Sequence, residues 1–269
     1  KGMNVKGAAS EVSRKGIDAW TEFVRRYGMG GLLWGKLNEE GMSGPMGKLL
    51  SDSERDAVCE TLGAETGDLL LLGVGAASRV HAGLGRLRAH IGKTRGLTEE
   101  TRFSFCWVVD FPALEWDEDA GRWTSPHHPF TSPKPEHVAL LGTDRQGEIL
   151  SDAYDLVCNG NEIAGGSIRI HSPDTQSKIF EALGLSEEET QDKFGFLLGA
   201  LSHGAPPHGG IAFGLDRNVM LLAGTENIRD VIAFPKTTSA QCLMSNAPSA
   251  VDAEQLVELS VANTVSHDD

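Results

Sequence analysis

Three stretches of the sequence concentrate side chains that could do chemistry. The first, His127-His128-Pro129-Phe130-Thr131-Ser132-Pro133-Lys134, sets two adjacent imidazoles in a loop. Pro129, Pro133 and Pro135 cannot continue a strand ladder, so the backbone there is restricted without being part of a sheet. An imidazole can donate, accept or ligate near neutral pH. Adjacent histidines without a nearby third ligand rarely hold zinc, which makes a metal the weaker use of this pair.

The second stretch runs from Tyr154 to His171 and contains Asp155, Glu162, Gly165-Gly166 and Arg169. A reversal at Asn159-Gly160 would bring Asp155 and Glu162 roughly opposite each other on two strands. Carboxylates so placed repel unless a cation lies between them, and magnesium with bound phosphate would supply that charge. Gly165-Gly166 removes two side chains in succession, so a flat group could approach the strand backbone. The Arg169 guanidinium is a fork suited to a carboxylate. Spacing alone also allows a plain half-buried hairpin with surface charges.

The third stretch is Gly209-Gly210-Ile211-Ala212-Phe213-Gly214-Leu215-Asp216-Arg217, a strand passing through glycine into a helix. Asp216 suits the start of that helix, where its carboxylate could accept backbone N–H bonds. Arg217 would then be free to stack on a purine or pair with phosphate.

The elements that would position these groups can be read from periodicity. Phe103, Phe105, Trp107, Val109 and Phe111 alternate and put five large apolar side chains on one face of a strand ended by Pro112. Tyr154 to His171 gives two hairpin strands, Ile211-Ala212-Phe213 a further strand leading into a helix from Asp216 to about Leu222, and Val231 to Phe234 one more short strand. Hairpin-linked strands favour an antiparallel sheet.

Upstream, Ile17, Trp20, Phe23, Val24 and Tyr27 fall at helical spacing and Gly28 closes the pattern. Leu32-Leu33-Trp34 reads as a strand, and Ser51 with Glu54 forms a capping box opening a helix to about Leu62. Leu69 to Val74 is a strand-length apolar run, followed by a helix with Val80, Leu84, Leu87 and Ile91 on one face. Gly73-Val74-Gly75 lacks the third glycine and the lysine of a phosphate loop. The fold class is therefore α+β. The final residues, Ser266 to Asp269, read as a disordered tail.

Charge divides the chain. The formal net charge is -14 overall, yet residues 1–97 hold 14 Lys+Arg against 11 Asp+Glu while residues 98–269 hold 10 against 27. A domain boundary near Leu97 follows, and the acidic second part offers no general phosphate-binding field. With 40% hydrophobic residues and no apolar run near the ~20 residues of a bilayer span, a membrane segment is not expected. Cys59, Cys106, Cys158 and Cys242 are scattered, with no C-x-x-C pair, as expected for reduced thiols in a cytoplasmic protein. The chain opens at Lys1-Gly2, without an initiator methionine and directly inside an apparent domain, the pattern of a piece of a longer protein.

In this order and together, the three stretches resemble the C-terminal catalytic segments of bacterial-type aspartyl-tRNA synthetases, a class II family. The G-x-x-x-G-L-D-R element ending at Arg217 is similar to the third signature motif of that class, while the histidine pair, the Asp155 to Glu162 hairpin and Gly165-Gly166-Ser167-Ile168-Arg169 resemble the aspartate branch. Trp107 to Pro112 and Ile228 to Lys236 resemble it too. Residues 1–97 are similar to the GAD insertion domain of bacterial members, leaving 98–269 as the last part of the catalytic domain, an antiparallel sheet flanked by helices.

The resemblance implies that His127, His128 and Arg169 bind L-aspartate, that Glu162, Gly214, Leu215, Asp216 and Arg217 bind ATP, and that Asp155 and Glu162 hold Mg2+. It implies an aspartate–tRNA ligase, a homodimer acting on the aspartate-accepting tRNA, and leaves open the asparagine-accepting one as a second substrate. No F-R-D-E-type stretch resembling the second class II motif occurs in the chain, so the chain by itself is expected to be inactive. The other class of function left open is a non-catalytic tRNA-binding or accessory module, because GAD-like domains also resemble part of the tRNA-dependent amidotransferases.

Overall fold

The computed structural model describes residues 1–99 and 101–264, so the tail expected at Ser266 to Asp269 lies outside the described residues. The chain divides into two compact units, Lys1–Thr101 and Arg102–Asp269.

In the first unit the strands β1 (Gly2–Val5), β2 (Leu33–Asn38), β3 (Gly41–Ser43) and β4 (Leu69–Leu72) form an antiparallel sheet in the order β1-β4-β2-β3. The helices are α1 (Arg14–Arg25), α2 (Pro45–Leu49), α3 (Asp52–Leu62) and α4 (Ala77–Thr94). The central strand β4 is a continuous leucine run because both of its faces are covered. Leu69 and Leu71 pack with Ile17 and Val24 of α1 and with Val80, Leu84, Leu87 and Ile91 of α4. Leu70, on the opposite face, is also fully buried. Each such side chain contributes on the order of 1.5–3 kcal/mol by leaving water.

Helix ends follow their sequence signals. The Ser13 hydroxyl accepts from the Gly16 N–H to start α1, and Ser51 and Glu54 make the reciprocal capping box of α3. One buried carboxylate ties the unit together: Asp68 accepts from Gly7 N at 2.8 Å, Glu65 N at 3.0 Å and Asn4 Nδ2 at 2.8 Å, and pairs with Lys6 Nζ at 3.2 Å. Burial alone would raise its pKa, but these donors outweigh it and hold the carboxyl well below the usual range.

The second unit is built on the strands β5 (Phe105–Val109), β8 (Ala153–Cys158), β9 (Asn161–Ile168) and β10 (Gly209–Phe213), antiparallel in the order β10-β9-β8-β5, with a separate hairpin of β6 (Glu115–Asp117) and β7 (Arg122–Thr124). Its helices are α5 (Pro173–Ala182), α6 (Glu187–Ser202), α7 (Leu215–Leu222) and α8 (Ala253–Glu258). The face carrying Phe105, Trp107 and Val109 is more than half exposed, at 61%, 57% and 53%, so the alternation marks a strand and not a core face of this unit.

Two expectations change here. Val231 to Phe234 is not a strand: Ile228–Val231 is one 3-10 turn started by Asn227, whose side chain accepts from Arg229 N, and the residues after it bend toward Pro235. A four-residue apolar run does not distinguish a turn from a strand by pattern. Asp216 lies in the first turn of α7, but the N-cap is Gly214 and no side chain caps that helix, so its carboxylate does not accept the backbone bonds expected of it. Among the described residues no helix is long and apolar enough to cross a membrane.

Candidate functional site

Asn159 and Gly160 take φ of 50° and 79°, the left-handed pair that closes a two-residue hairpin between β8 and β9. The register then shifts. Leu156 pairs with Ala164, but the next residue, Val157, pairs with Glu162, so β9 carries one extra residue, Ile163. This is a β-bulge, and by adding one residue it places Gly165, Ser167 and Arg169 on the face of Glu162, where unbroken alternation would put Ala164, Gly166 and Ile168.

Asp155 and Glu162 are not register partners, which corrects the expectation that they lie opposite each other: Glu162 pairs with Val157, and the bulge makes Gly165 the partner of Asp155. Their carboxylates nevertheless converge. A Cβ placed on Gly165 would lie 2.6 Å from Asp155 Oδ1 and 3.6 Å from Glu162 Oε1, so both oxygens gather over the spot that this glycine leaves empty.

Gly166 has a different cause from the one its sequence suggested. Its missing side chain makes room for the neighbouring strand and not for a flat ligand, because a Cβ there would sit 2.0 Å from the Gly210 carbonyl oxygen of β10. The hydroxyl of Tyr154, the cross-strand partner of Gly166, donates to that same oxygen at 3.1 Å.

The bulge also seats the start of α7. The Ile163 carbonyl accepts from Gly214 N at 2.9 Å and from Asn218 Nδ2 at 3.3 Å, and the Glu162 carbonyl accepts from Arg217 Nη1 at 2.7 Å. Arg217 also lies 3.9 Å from the Glu162 carboxylate, a long and half-exposed pair worth little by itself. A depression of about 210 Å³ opens between Glu162, Ala164, Gly214, Asp216 and Arg217. It is smaller than the ~300–1,000 Å³ of a complete small-molecule pocket and would hold one part of a larger ligand.

At the far end of β9, Arg169 meets the histidine loop. Residues 130–134 run as an irregular strand between two partners: Ile170 N donates to Phe130 O, Ser132 N to Ile168 O, Asp152 N to Ser132 O and Lys134 N to Leu150 O, all at 2.8–2.9 Å. Lys134 Nζ pairs with Asp110 at 2.8 Å and lies 3.8 Å from Asp152, and this pairing raises its pKa. From α5, the buried Gln176 donates to the Pro129 carbonyl at 2.8 Å, and Phe130 packs edge-on against Phe180 and Phe194.

That framework holds His128 Nδ1 2.8 Å from Arg169 Nη1. Burial, then the charge of Arg169, then His127, lower the pKa of His128. His127 points elsewhere: it is exposed and its ring stands edge-on to Phe111 with centroids 4.8 Å apart.

On β9, Glu162, Gly165, Ser167 and Arg169 share one face, given strand alternation and the bulge. Two carboxylates lie at one end and a guanidinium at the other. Arg169 lies four residue steps along the chain from Gly165, about 13 Å of strand. Among the described residues no group of three or more His, Cys, Asp or Glu could hold a metal ion without other ligands. Asp155 and Glu162 fit a cation that completes its shell with phosphate oxygens and water.

Comparison with known proteins supplies the frame for this arrangement. The family model described as tRNA synthetases class II (D, K and N) matches residues 6–238. The chain belongs to that family. It is 51% identical over 261 residues to the aspartate–tRNA ligase of Macrococcus caseolyticus (strain JCSC5402), covering 97% of this chain and 44% of that protein. It is 54% identical over 261 residues to the aspartate–tRNA(Asp/Asn) ligase of Bacillus mycoides (strain KBAB4), with the same 97% and 44% coverage. The chain thus spans less than half the length of these relatives. Among solved structures, the aspartyl tRNA synthetase from Entamoeba histolytica matches with a TM-score of 0.39 at 25% identity, over 57% of this chain and 26% of that one.

Proposed function

We propose that this chain is the part of an aspartate–tRNA ligase that receives L-aspartate and the adenine and γ-phosphate side of ATP. The observation that carries the proposal is the β9 stripe: one strand face with a carboxylate pair gathered over Gly165 and, about 13 Å of strand further along, a guanidinium with open donors on Arg169. An amino acid joined to a nucleotide through a phosphate needs such a span. The family membership and the activities named for the relatives support the same reading.

In this reading Arg169 takes the side-chain carboxylate of aspartate, and His127 and His128 border that pocket. Discrimination follows from charge, since the neutral amide of asparagine would leave the guanidinium unmatched in a desolvated site. Gly214, Leu215, Asp216 and Arg217 border the adenine and γ-phosphate, with Arg217 braced on the Glu162 carbonyl. Asp155 and Glu162 would hold Mg2+, which supplies positive charge against the phosphates. The chain's own residues position and orient the reactants, which is the main assistance phosphorus-centred transfers require.

The reaction has two steps. The α-carboxylate of aspartate attacks the α-phosphate of ATP and pyrophosphate leaves; a terminal ribose hydroxyl of tRNA then takes the aspartyl group from the adenylate, releasing AMP. The tRNA partner is the aspartate-accepting one, and the asparagine-accepting one as well in a non-discriminating enzyme. The first unit corresponds to a GAD-like insertion domain, and the whole protein is a homodimer.

The test is aspartate-dependent ATP–pyrophosphate exchange in the full-length protein. Arg169→Ala is expected to lower it on the order of 100-fold or more through loss of a charge-assisted pair. Undiminished exchange in that variant would refute the aspartate pocket. The 269-residue chain by itself is expected to show no exchange.

A further inference from the structure

We propose that His128 is a positioning residue for Arg169: its unprotonated Nδ1 accepts a hydrogen bond from the guanidinium and so fixes the direction in which Arg169 presents its remaining donors. This rests on the reading of Arg169 as the aspartate-carboxylate ligand and assigns His128 a role other than direct contact with the amino acid.

Two donors converge on the one nitrogen. The Phe130 backbone N–H donates to His128 Nδ1 at 3.1 Å, and Arg169 Nη1 lies 2.8 Å from the same atom. A backbone N–H can only donate, and a guanidinium has no acceptor. Nδ1 must therefore be bare and the ring proton must sit on Nε2. The tautomer is dictated by geometry, independently of any titration.

The consequence for Arg169 is directional. Among the described residues the guanidinium makes its one side-chain hydrogen bond through Nη1, to His128. That leaves Nε and Nη2, the adjacent pair that forks a carboxylate with two parallel bonds. Backbone contacts fix the base of the side chain, since Arg169 N donates to His208 O at 2.9 Å and Arg169 bridges Thr131. The His128 contact fixes the tip. The loop that holds His128 is itself pinned by Gln176 at Pro129, so the orienting group is not free to drift with the arginine.

The arrangement also makes aspartate capture sensitive to acid. Protonation of His128 would place a proton on Nδ1, remove its acceptor for both donors, and set an imidazolium 2.8 Å from the guanidinium. The charged and titratable groups facing His128 are Arg169, at the end of β9, and His127 on its own loop, and both disfavour the imidazolium. Gln176, which meets the loop from α5, is neutral.

The substitutions that separate this from plain packing are Asn and Gln. The Asn side-chain oxygen reaches the place of Nδ1, whereas the Gln amide extends to the place of Nε2. In the full-length protein, His128→Gln and His128→Leu are expected to raise KM for aspartate in pyrophosphate exchange about 10- to 100-fold, the usual cost of one hydrogen bond to a charged group, with kcat within about threefold. His128→Asn is expected to restore KM to within about threefold. Wild-type KM for aspartate should rise below the His128 ionisation and that of His128→Asn should stay flat across the same range.

Equal KM in the Asn and Gln variants, or the same acid-side rise in His128→Asn as in wild type, would overturn the role of Nδ1 while leaving the aspartate pocket standing. The pocket itself fails separately, by retained exchange in Arg169→Ala. Thermal melting of each variant, expected within a few degrees of wild type, excludes misfolding as the cause of a raised KM.

Discussion

Replacing Gly166 with alanine adds one methyl group at the tightest point of the second unit's sheet. The new Cβ would lie 2.0 Å from the Gly210 carbonyl oxygen and 2.9 Å from Ile211 Cα, both backbone atoms that cannot rotate away. Relief requires β9 and β10 to part by on the order of 1 Å, far enough to weaken the neighbouring ladder bonds, each worth about 1 kcal/mol net. Overpacking adds about 1–3 kcal/mol, and the lower chain entropy of unfolded alanine returns about 0.4–1 kcal/mol. The expected net loss is about 2–4 kcal/mol, a fall of roughly 5–12 °C in the melting transition of a unit this size. Gly210→Ala is the matched control: nothing lies within 4 Å of its Cβ, so stability should stay within about 0.5 kcal/mol of wild type. Denaturant melts followed through the tryptophans of the second unit give both values. A Gly166→Ala protein as stable as Gly210→Ala would refute the claim that this glycine exists to admit β10.

Other outcomes follow from the same geometry. Asp155→Asn and Glu162→Gln should each raise the magnesium concentration giving half-maximal exchange about tenfold or more in the full-length protein. In Glu162→Gln the α7 contact should survive, because Arg217 bonds the backbone carbonyl and not the carboxylate. Unchanged magnesium dependence in both variants would remove the metal role. Asp68→Asn should cost the first unit about 1–3 kcal/mol at neutral pH by turning a multiply bonded buried anion into an amide. Because the folded carboxyl is held below its unfolded value, its contribution is complete above pH ~4 and is lost as pH falls toward the folded pKa. The variant should therefore show a flatter stability profile on the acid side than wild type, and parallel acid melts would contradict this.

Much of the framework could be read from residue pattern, and the reasons are local. The capping box at Ser51 and Glu54, the apolar stripe of α4 and the Asn159-Gly160 turn each depend on neighbours within a few positions, and each is present. The bulge at Ile163 could not be read, because one extra residue in a strand leaves no periodic mark and shows only against the partner's register. Its effect is to put Gly165 in place of Ala164 opposite Asp155, on the face that Glu162 already shares. Gly165 and Gly166 likewise share a residue type but answer to different neighbours, a carboxylate in one case and the next strand in the other. The division between the two histidines was also invisible. Adjacent imidazoles have the same sequence context, and only the fold turns His127 to Phe111 and His128 to Arg169.

The extra residue in β9 links two candidate site residues, Glu162 and Arg217, that sequence numbering keeps 55 positions apart. It aligns Gly165 and Arg169 with the face of Glu162, and it offers the carbonyls of residues 162 and 163 to the start of α7. Point substitutions leave the residue count of the strand unchanged, so they can weaken one contact at a time but cannot retune both. Only a single-residue deletion or insertion does so, and it moves the proposed metal side and the proposed purine side of the site in one step. For anyone redesigning nucleotide preference here, the length of this strand is a shared setting that must be held constant while the side chains around it are varied.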